Sequence, residues 1–262
     1  MRQRLIFLLL FLFIPLSFLA GEINRIVSLS PDITKSILLL GEEKKIVGVT
    51  RYSPIHNKPV IGSILQINIE KVVSLKPDLI LATKEGNPKE VIEKLRSLKL
   101  KVIVLNEQKS IGDVFRNFLY LGEILDKERE AEKIINQVKE KLEKIKEKWK
   151  GKTPIPTFIQ VGISPLVTVG SDTPLNEMLE IAGGKNIFSH LKRYPRINPE
   201  EVWRRNPRVY FVVSMGKKIS PLFPPRGVKI YFLSAEDFAS LTPVDVLKGV
   251  ELIYHYLWEE KN

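Results

Sequence analysis

The sequence predicts an α/β fold of two lobes joined by a helical spine. Three observations carry this. Short β-like runs alternate with helix-length amphipathic runs through residues 22–110, and again through 153–262, the pattern of parallel α/β units. Residues 111–152 between them hold apolar residues at helical spacing only. A segment of the first half also recurs in the second. The expected division is 1–21 as a signal peptide, 22–110 as the first lobe, 111–152 as the bridge and 153–262 as the second lobe.

In the first lobe Arg25–Ser30 reads as a buried strand, and Pro31 then opens a helix that stops at Gly41. Asp32 is expected to cap that helix. Lys45–Val49 is β-like, Glu70–Leu75 a short helix ended by Pro77, and Asp78–Ala82 a strand. Pro88–Leu98 is helical and Lys101–Leu105 a strand. In the bridge Val114, Phe118, Leu121, Leu125, Ile134, Ile135, Val138, Leu142 and Ile145 keep helical spacing, as two helices breaking near Asp126 or one bent helix. After a linker, Gly151–Pro156, come strands at Thr157–Val161, Val209–Val213 and Lys229–Leu233. Helices are expected at Leu175–Ala182, Glu200–Arg205 and Pro243–Trp258.

With 44% hydrophobic residues the chain can build cores, which excludes disorder. It has no cysteine, hence no disulfide, thiolate metal site or cysteine nucleophile. Arg2 and Arg4 precede an apolar run from Leu5 to Leu19, the form of a secretory signal. Cleavage is expected near Ala20 and Gly21, the alternative being an uncleaved anchor. Either places the rest of the chain in the periplasm or otherwise outside the cytoplasm. Without the two arginines the formal charge falls from +11 to +9. A basic balance often means nucleic acid, but the export signal argues against that partner.

The internal repeat carries function. Residues Asn68–Leu79 align with Asn198–Val209 at an offset of 130, sharing the pattern Asn-x-Glu-x-Val-(x4)-Pro-x-apolar. Asn suits a helix N-cap, an early Glu suits the positive helix end, and Pro stops the helix before a strand. A second match sets Arg51-Tyr52 against Arg193-Tyr194, each following an apolar helix and a Gly. Two lobes of similar order would turn these loops toward one interlobe cleft, where ligands favour the ends of parallel strands.

The order and spacing of several motifs resemble the periplasmic binding proteins of iron-complex and cobalamin importers. They are RIVSLSP at Arg25–Pro31, GVTRY at Gly48–Tyr52, Gly62-Ser63 before Asn68-Ile69-Glu70, and LKPDLIL at Leu75–Leu81. The second lobe adds GSDTP at Gly170–Pro174, AGGKNIF at Ala182–Phe188, and Asn198–Pro207. The resemblance runs from about Asn24 to the C-terminus and is closest to cobalamin binders. It implies two Rossmann-like lobes bridged by a long helix, with little hinge motion. It also implies capture of a small metal-chelate ligand for an ABC importer's permease subunits, by a monomer without cofactor. In that family a glutamate on each lobe pairs with permease arginines. The matching positions are Glu70 and Glu200.

The same resemblance implies a corrin held between aromatic side chains, with Tyr52 and Tyr194 in matching places. Ile64, Thr83, Val161 and Val167 stand where a cobalamin binder carries Trp or Phe, which forfeits stacking worth about 0.5–1.5 kcal/mol per aromatic pair. The expected wall also takes in Pro31, Asp32, Lys84, Gly162, Ile163, Glu236 and Phe238. Arg51, Lys84, Arg193 and Arg196 at the rim would suit an anionic ferric siderophore or haem propionates. Haem iron could take Tyr52 or Tyr194, and His56 or His190 could offer one axial ligand to haem or a corrin. His255 reads as structural. No protein-held metal site is expected, because two histidines lack an acidic cluster. No nucleophile, base and orienter group together, so the chain is not read as an enzyme. A binding or interaction module uncoupled from transport is the remaining alternative.

Overall fold

Four short apolar runs of the first lobe form one parallel sheet. Ile26–Ser28 (β1), Ile46–Val49 (β2), Leu79–Thr83 (β3) and Val102–Leu105 (β4) align in the order β2-β1-β3-β4. This is a computed structural model, described here over residues 22–214 and 220–260. The expected export signal lies outside the described residues. Parallel neighbours need crossovers. Helices Pro31–Leu39 (α1), Ile69–Ser74 (α2) and Lys89–Ser97 (α3) supply them. Ser30, not Asp32, occupies the N-cap of α1, and Asp32 sits inside the first turn, which corrects the capping expectation.

The bridge is two helices, Ile111–Ile124 (α4) and Glu128–Trp149 (α5). Asp126 breaks them with φ of 56°. Gly122 lets them close up, since a Cβ there would stand 2.8 Å from the Cβ of Ala131. Ser110 caps α4 by accepting from the Asp113 amide at 3.0 Å. At 1.5 Å per residue, the 22 residues of α5 span about 33 Å, the length of a small domain.

The second sheet is built on Ile155–Ile163 (β5). Val209–Ser214 (β8) and then Lys229–Ser234 (β9) extend it in parallel. Two unexpected three-residue strands lie on the other edge: Leu166–Thr168 (β6), antiparallel, and Gly184–Asn186 (β7), parallel. The helices are Pro174–Ile181 (α6), Pro199–Arg205 (α7) and Pro243–Tyr254 (α8), the last running into a π-helical turn, His255–Glu259. A capping box between Thr242 and Asp245 opens α8.

Strand residues alternate faces. Ile26, Leu79 and Leu81 face a core that continues through Phe118 and Leu142 of the bridge to Ile159, Phe211 and Val213 of the second sheet. Each such burial stabilises by about 1.5–3 kcal/mol. One continuous core thus joins the lobes. The outer faces have separate cores: Val27, Ile80 and Ala82 under Val72, Ile92 and Leu95, and Phe158, Tyr210 and Val212 under Val202 and Phe188.

Candidate ligand-binding site

The carboxyl ends of the parallel strands carry the loops expected to hold a ligand. In the first lobe one buried amide organises them. Asn87 donates to the carbonyls of Leu29 at 3.0 Å and Ile64 at 3.1 Å, and accepts from the Thr83 amide at 2.8 Å. It thereby fixes the ends of β1 and β3 and the Ile64 loop relative to one another. Sequence reading missed it, since its partners lie up to 58 residues away. A hydroxyl chain adds the Tyr52 loop: Thr34 donates to Ser28 at 2.8 Å and its oxygen lies 3.3 Å from that of Ser53. Arg51 donates its amide to the Gly62 carbonyl at 2.8 Å. Tyr52 is 76% exposed and has φ of 70°, a strained value for an aromatic residue.

In the second lobe the Gly170–Pro174 turn holds the Arg193-Tyr194 loop. Gly170 donates to the Arg193 carbonyl at 2.8 Å, and Arg193 donates to the Ser171 carbonyl at 2.7 Å. A Cβ on Gly170 would come within 2.3 Å of the Leu191 oxygen, so only glycine fits. The Arg193 guanidinium reaches across to the first lobe and pairs with Glu107. Tyr194 is 51% exposed. Desolvation raises its phenol pKa, Arg193 opposes this, and the Glu85 charge raises it further.

Arg193 and Tyr194 therefore face the ends of β3 and β4. Desolvation also raises the Glu85 carboxyl; a bond from the Gln108 amide opposes this, and Asp32 and Glu107 reinforce it. Burial raises Asp32 too, against a bond from the Ser30 hydroxyl. Glu85, Asp32 and Glu107 gather on this side of the cleft, where Glu107 pairs with both Arg193 and Lys109.

Other ties fix the lobes. Lys35 of α1 donates to the Ser240 carbonyl at 3.0 Å and pairs with Asp245 of α8 at 3.3 Å. Gln108 donates to the Leu241 carbonyl at 3.3 Å, and the Ile111 amide to Glu177 at 2.6 Å.

The remaining candidates divide. Ile64 and Thr83 meet at Gly86, where a Cβ would touch both side chains. Lys84 is exposed, as are Arg51, Arg196 and Glu236. Gly162, Ile163 and Val167 belong to the β5–β6 hairpin, with Gly162 opposite Val167. Pro31 and Asp32 are buried and offer a ligand little surface. Phe238 is a core residue packed on Gly249 of α8, which corrects its expected place in the wall. His190 stacks on Phe188 and lies 3.2 Å from Arg205, which takes it toward α7 and not into the cleft. Among the described residues no cluster of His, Asp or Glu could hold a metal.

The repeat is reproduced in detail. Asn68 caps α2 by accepting from the Lys71 amide at 2.9 Å, and Asn198 caps α7 by accepting from the Glu200 amide at 3.0 Å. Val72 and Val202 are buried, and Lys76 and Asn206 both end their helices at φ of 45°. Glu70 and Glu200 are exposed in the first turns. Neither forms an ion pair among the described residues.

Comparison with known proteins agrees with this architecture. The family model for "Periplasmic binding protein" matches residues 26–222. The chain is 29% identical to a vitamin B12-binding protein of Photorhabdus laumondii over 238 residues, 87% of this chain and 86% of that protein. A possible iron-binding, periplasmic solute-binding protein from Staphylococcus epidermidis superposes with TM-score 0.79 at 25% identity, covering 90% of this chain and 99% of that one. The periplasmic vitamin B12 binding protein of Vibrio cholerae gives 0.72 at 25% identity, covering 90% and 97%. No helix among the described residues is long and apolar enough to cross a membrane. The chain belongs to the periplasmic binding protein family, the solute-binding components of ABC importers.

Proposed function

We propose that this protein captures cobalamin or a related corrinoid in its interlobe cleft, outside the cytoplasm, and hands it as a monomer to an importer permease. The observation that carries the ligand class is the charge of the cleft. Arg193, the cation best placed to meet propionate or catecholate oxygens, is engaged by Glu107. Glu85 lies near both Glu107 and Asp32. The Glu85 and Glu107 carboxyls can accept hydrogen bonds from amides, which a corrin carries around its rim. The exposed rings of Tyr52 and Tyr194 supply flat apolar contact to a macrocycle. The names of the curated relatives point the same way.

Glu70 and Glu200 dock the loaded protein on permease arginines. The reading contains no covalent step and no resident cofactor. Native mass spectrometry of residues 22–262 with an equimolar mixture of cyanocobalamin, haemin and ferric siderophores tests the ligand. A 1:1 cyanocobalamin adduct is expected, and a haemin or siderophore adduct alone would overturn it. Charge reversal at both Glu70 and Glu200 should abolish uptake and leave soluble affinity unchanged. Equal loss of both would place these residues in the cleft instead.

A further inference from the structure

We propose that the end of the first lobe remote from the cleft rests on the anionic headgroups of a phospholipid bilayer. The proposal is independent of which ligand the cleft holds. Strands β1, β3 and β4 begin at this end, and helices α2 and α3 finish there. Six exposed cations gather on it: Arg25 before β1, Lys76 after α2, Lys94 and Arg96 in the last turn of α3, and Lys99 and Lys101 before β4. The acids among them are Glu22 and Asp78, and one Asp78 oxygen already accepts from the amides of Asn24 and Arg25 at 2.9 and 2.8 Å. The β2 edge is balanced, with Glu42 and Glu43 against Lys44 and Lys45.

None of the six cations forms an ion pair among the described residues. Arg25 donates to the carbonyls of Leu75 at 2.7 Å and Lys76 at 3.1 Å, which cancels no formal charge. The bridge shows the opposite arrangement, where Lys144, Lys146 and Lys150 are matched to Glu140, Glu143 and Glu147. Helix dipoles account for a cation at each helix end. They do not account for Lys76 and Lys99, which hold left-handed φ of 45° and 61° where glycine or asparagine would cost less. Val73 and Leu98, 42% and 44% exposed, lie among the charges in the same helix ends. Cations interleaved with exposed aliphatic groups suit a bilayer surface, whereas a soluble polyanion gains nothing from the aliphatic groups.

The course of the chain selects the same occupant. The apolar run Leu5–Leu19 ends six residues before Arg25. Six residues reach about 20 Å at full extension. An apolar segment in the bilayer therefore holds this end of the lobe against the headgroups. The cleft loops lie at the opposite ends of the same strands, so a protein resting this way keeps its cleft open to solute. The second lobe also starts its strands with cations, Arg208 and Lys229, but no apolar segment leads into it.

The test is cosedimentation of residues 22–262, which hold the whole described fold, with vesicles of phosphatidylglycerol and phosphatidylcholine in equal parts. Binding is expected, with none to phosphatidylcholine alone, and it should fall steeply as salt rises from about 0.05 to about 0.5 M. Lys76→Asn, Lys99→Asn and Lys101→Gln together should weaken it about a hundredfold. Asparagine tolerates the left-handed backbone, as Asn206 does in the second lobe, so the variant keeps its fold. Lys185→Gln, Arg208→Gln and Lys229→Gln remove the same charge from the second lobe and should weaken binding less than about threefold. Equal loss in the two triple variants would assign binding to net charge and overturn the proposal. Val73→Ser with Leu98→Ser should weaken vesicle binding about tenfold and leave binding to soluble polyphosphate unchanged. If that pair has no effect on vesicles, the face takes a soluble polyanion and the bilayer reading falls. No binding of the parent chain to the anionic vesicles would also sink it.

Discussion

The two lobes share a register and differ in how they seal their outer faces. Val27 lies one position from the pairing of Ile26 with Leu79, as Phe158 does from that of Thr157 with Val209. In the first lobe α3 lays Ile92 and Leu95 over aliphatic strand residues. In the second no helix joins β8 to β9 among the described residues. There the Phe158 ring packs edge-on against Tyr210 and Phe188, with centroids 4.7 and 5.7 Å away. Irregular chain near Ser220–Phe223 completes the cover. Helices satisfy their own backbone, but irregular chain over a core needs partners. Gln160 provides them, accepting from the Tyr210 hydroxyl and from the Leu222 amide at 2.8 Å and donating to the Ser220 carbonyl at 3.2 Å. Burial pushes the Tyr210 phenol up to about 12, so it stays a donor at any physiological pH and also bonds the Leu222 carbonyl at 3.1 Å. The seal that lacks a helix requires a buried polar network.

The largest expected effect breaks that aromatic seal. Phe158→Ala should cost about 3–5 kcal/mol in urea denaturation, the range for a large ring lost from a core. It should also speed hydrogen exchange at Leu222 and Phe223. Leu95→Ala should cost about 2–5 kcal/mol and leave exchange in the second lobe unchanged. If Phe158→Ala changed stability without exposing Leu222, the ring would be filling space and not holding the segment.

Next come the two buried amides. Asn87→Ala and Gln160→Ala should each cost about 1–3 kcal/mol, because their backbone partners are left unpaired. Their functional effects should separate. Asn87 joins three loops at the cleft, so its loss should weaken ligand binding in calorimetry, whereas Gln160→Ala should act mainly on stability. Equal loss of ligand affinity in both would show that the outer seal of the second lobe also shapes the cleft.

The cleft carboxyls give a prediction of sign. Burial raises the Asp32 pKa above its ordinary 3.8. The folded state then holds its proton more tightly than the unfolded chain, so stability falls as pH rises from about 3.8 through the folded value. Asp32→Asn should therefore raise the Tm at pH 7, with the gain shrinking as pH approaches 3.8. A gain of constant size at all pH would assign it to packing. The corresponding position of the second lobe has no such acid: Thr173 caps α6 and Pro174 and Leu175 follow.

The strands and helices of both lobes were legible because apolar period and the Gly, Pro and Asn punctuation agree there. The repeat was legible for the same reason, and its two helices match down to their left-handed ends. The strands β6 and β7 were not, since Gly184–Asn186 has no β-branched residue and Leu166–Thr168 is defined by its partner. The pairing of Arg193 with Glu107 and the three bonds of Asn87 depend on contacts 86 and up to 58 residues apart, which no local pattern encodes. Phe238 was misplaced because an apolar residue after a strand looks the same whether it faces a ligand or a helix. Gly249, whose missing side chain makes its room, was the available signal.

The smallest effect returns to the repeat. Lys76 and Asn206 occupy the same left-handed position, φ of 45°, before Pro77 and Pro207. Left-handed backbone costs an ordinary L-residue about 1–2 kcal/mol, and Asn pays less because its short polar side chain bonds locally. Glycine removes that cost but gives back about 0.5–1 kcal/mol through the freedom of the unfolded chain. Lys76→Gly should thus stabilise by about 0.5–1 kcal/mol, and Asn206→Gly by roughly nothing. If the two substitutions gave equal gains in denaturant melts, the repeat would match in energy as well as geometry. An unequal result means that each lobe ends its repeated helix with the same turn but tolerates it by a different residue chemistry.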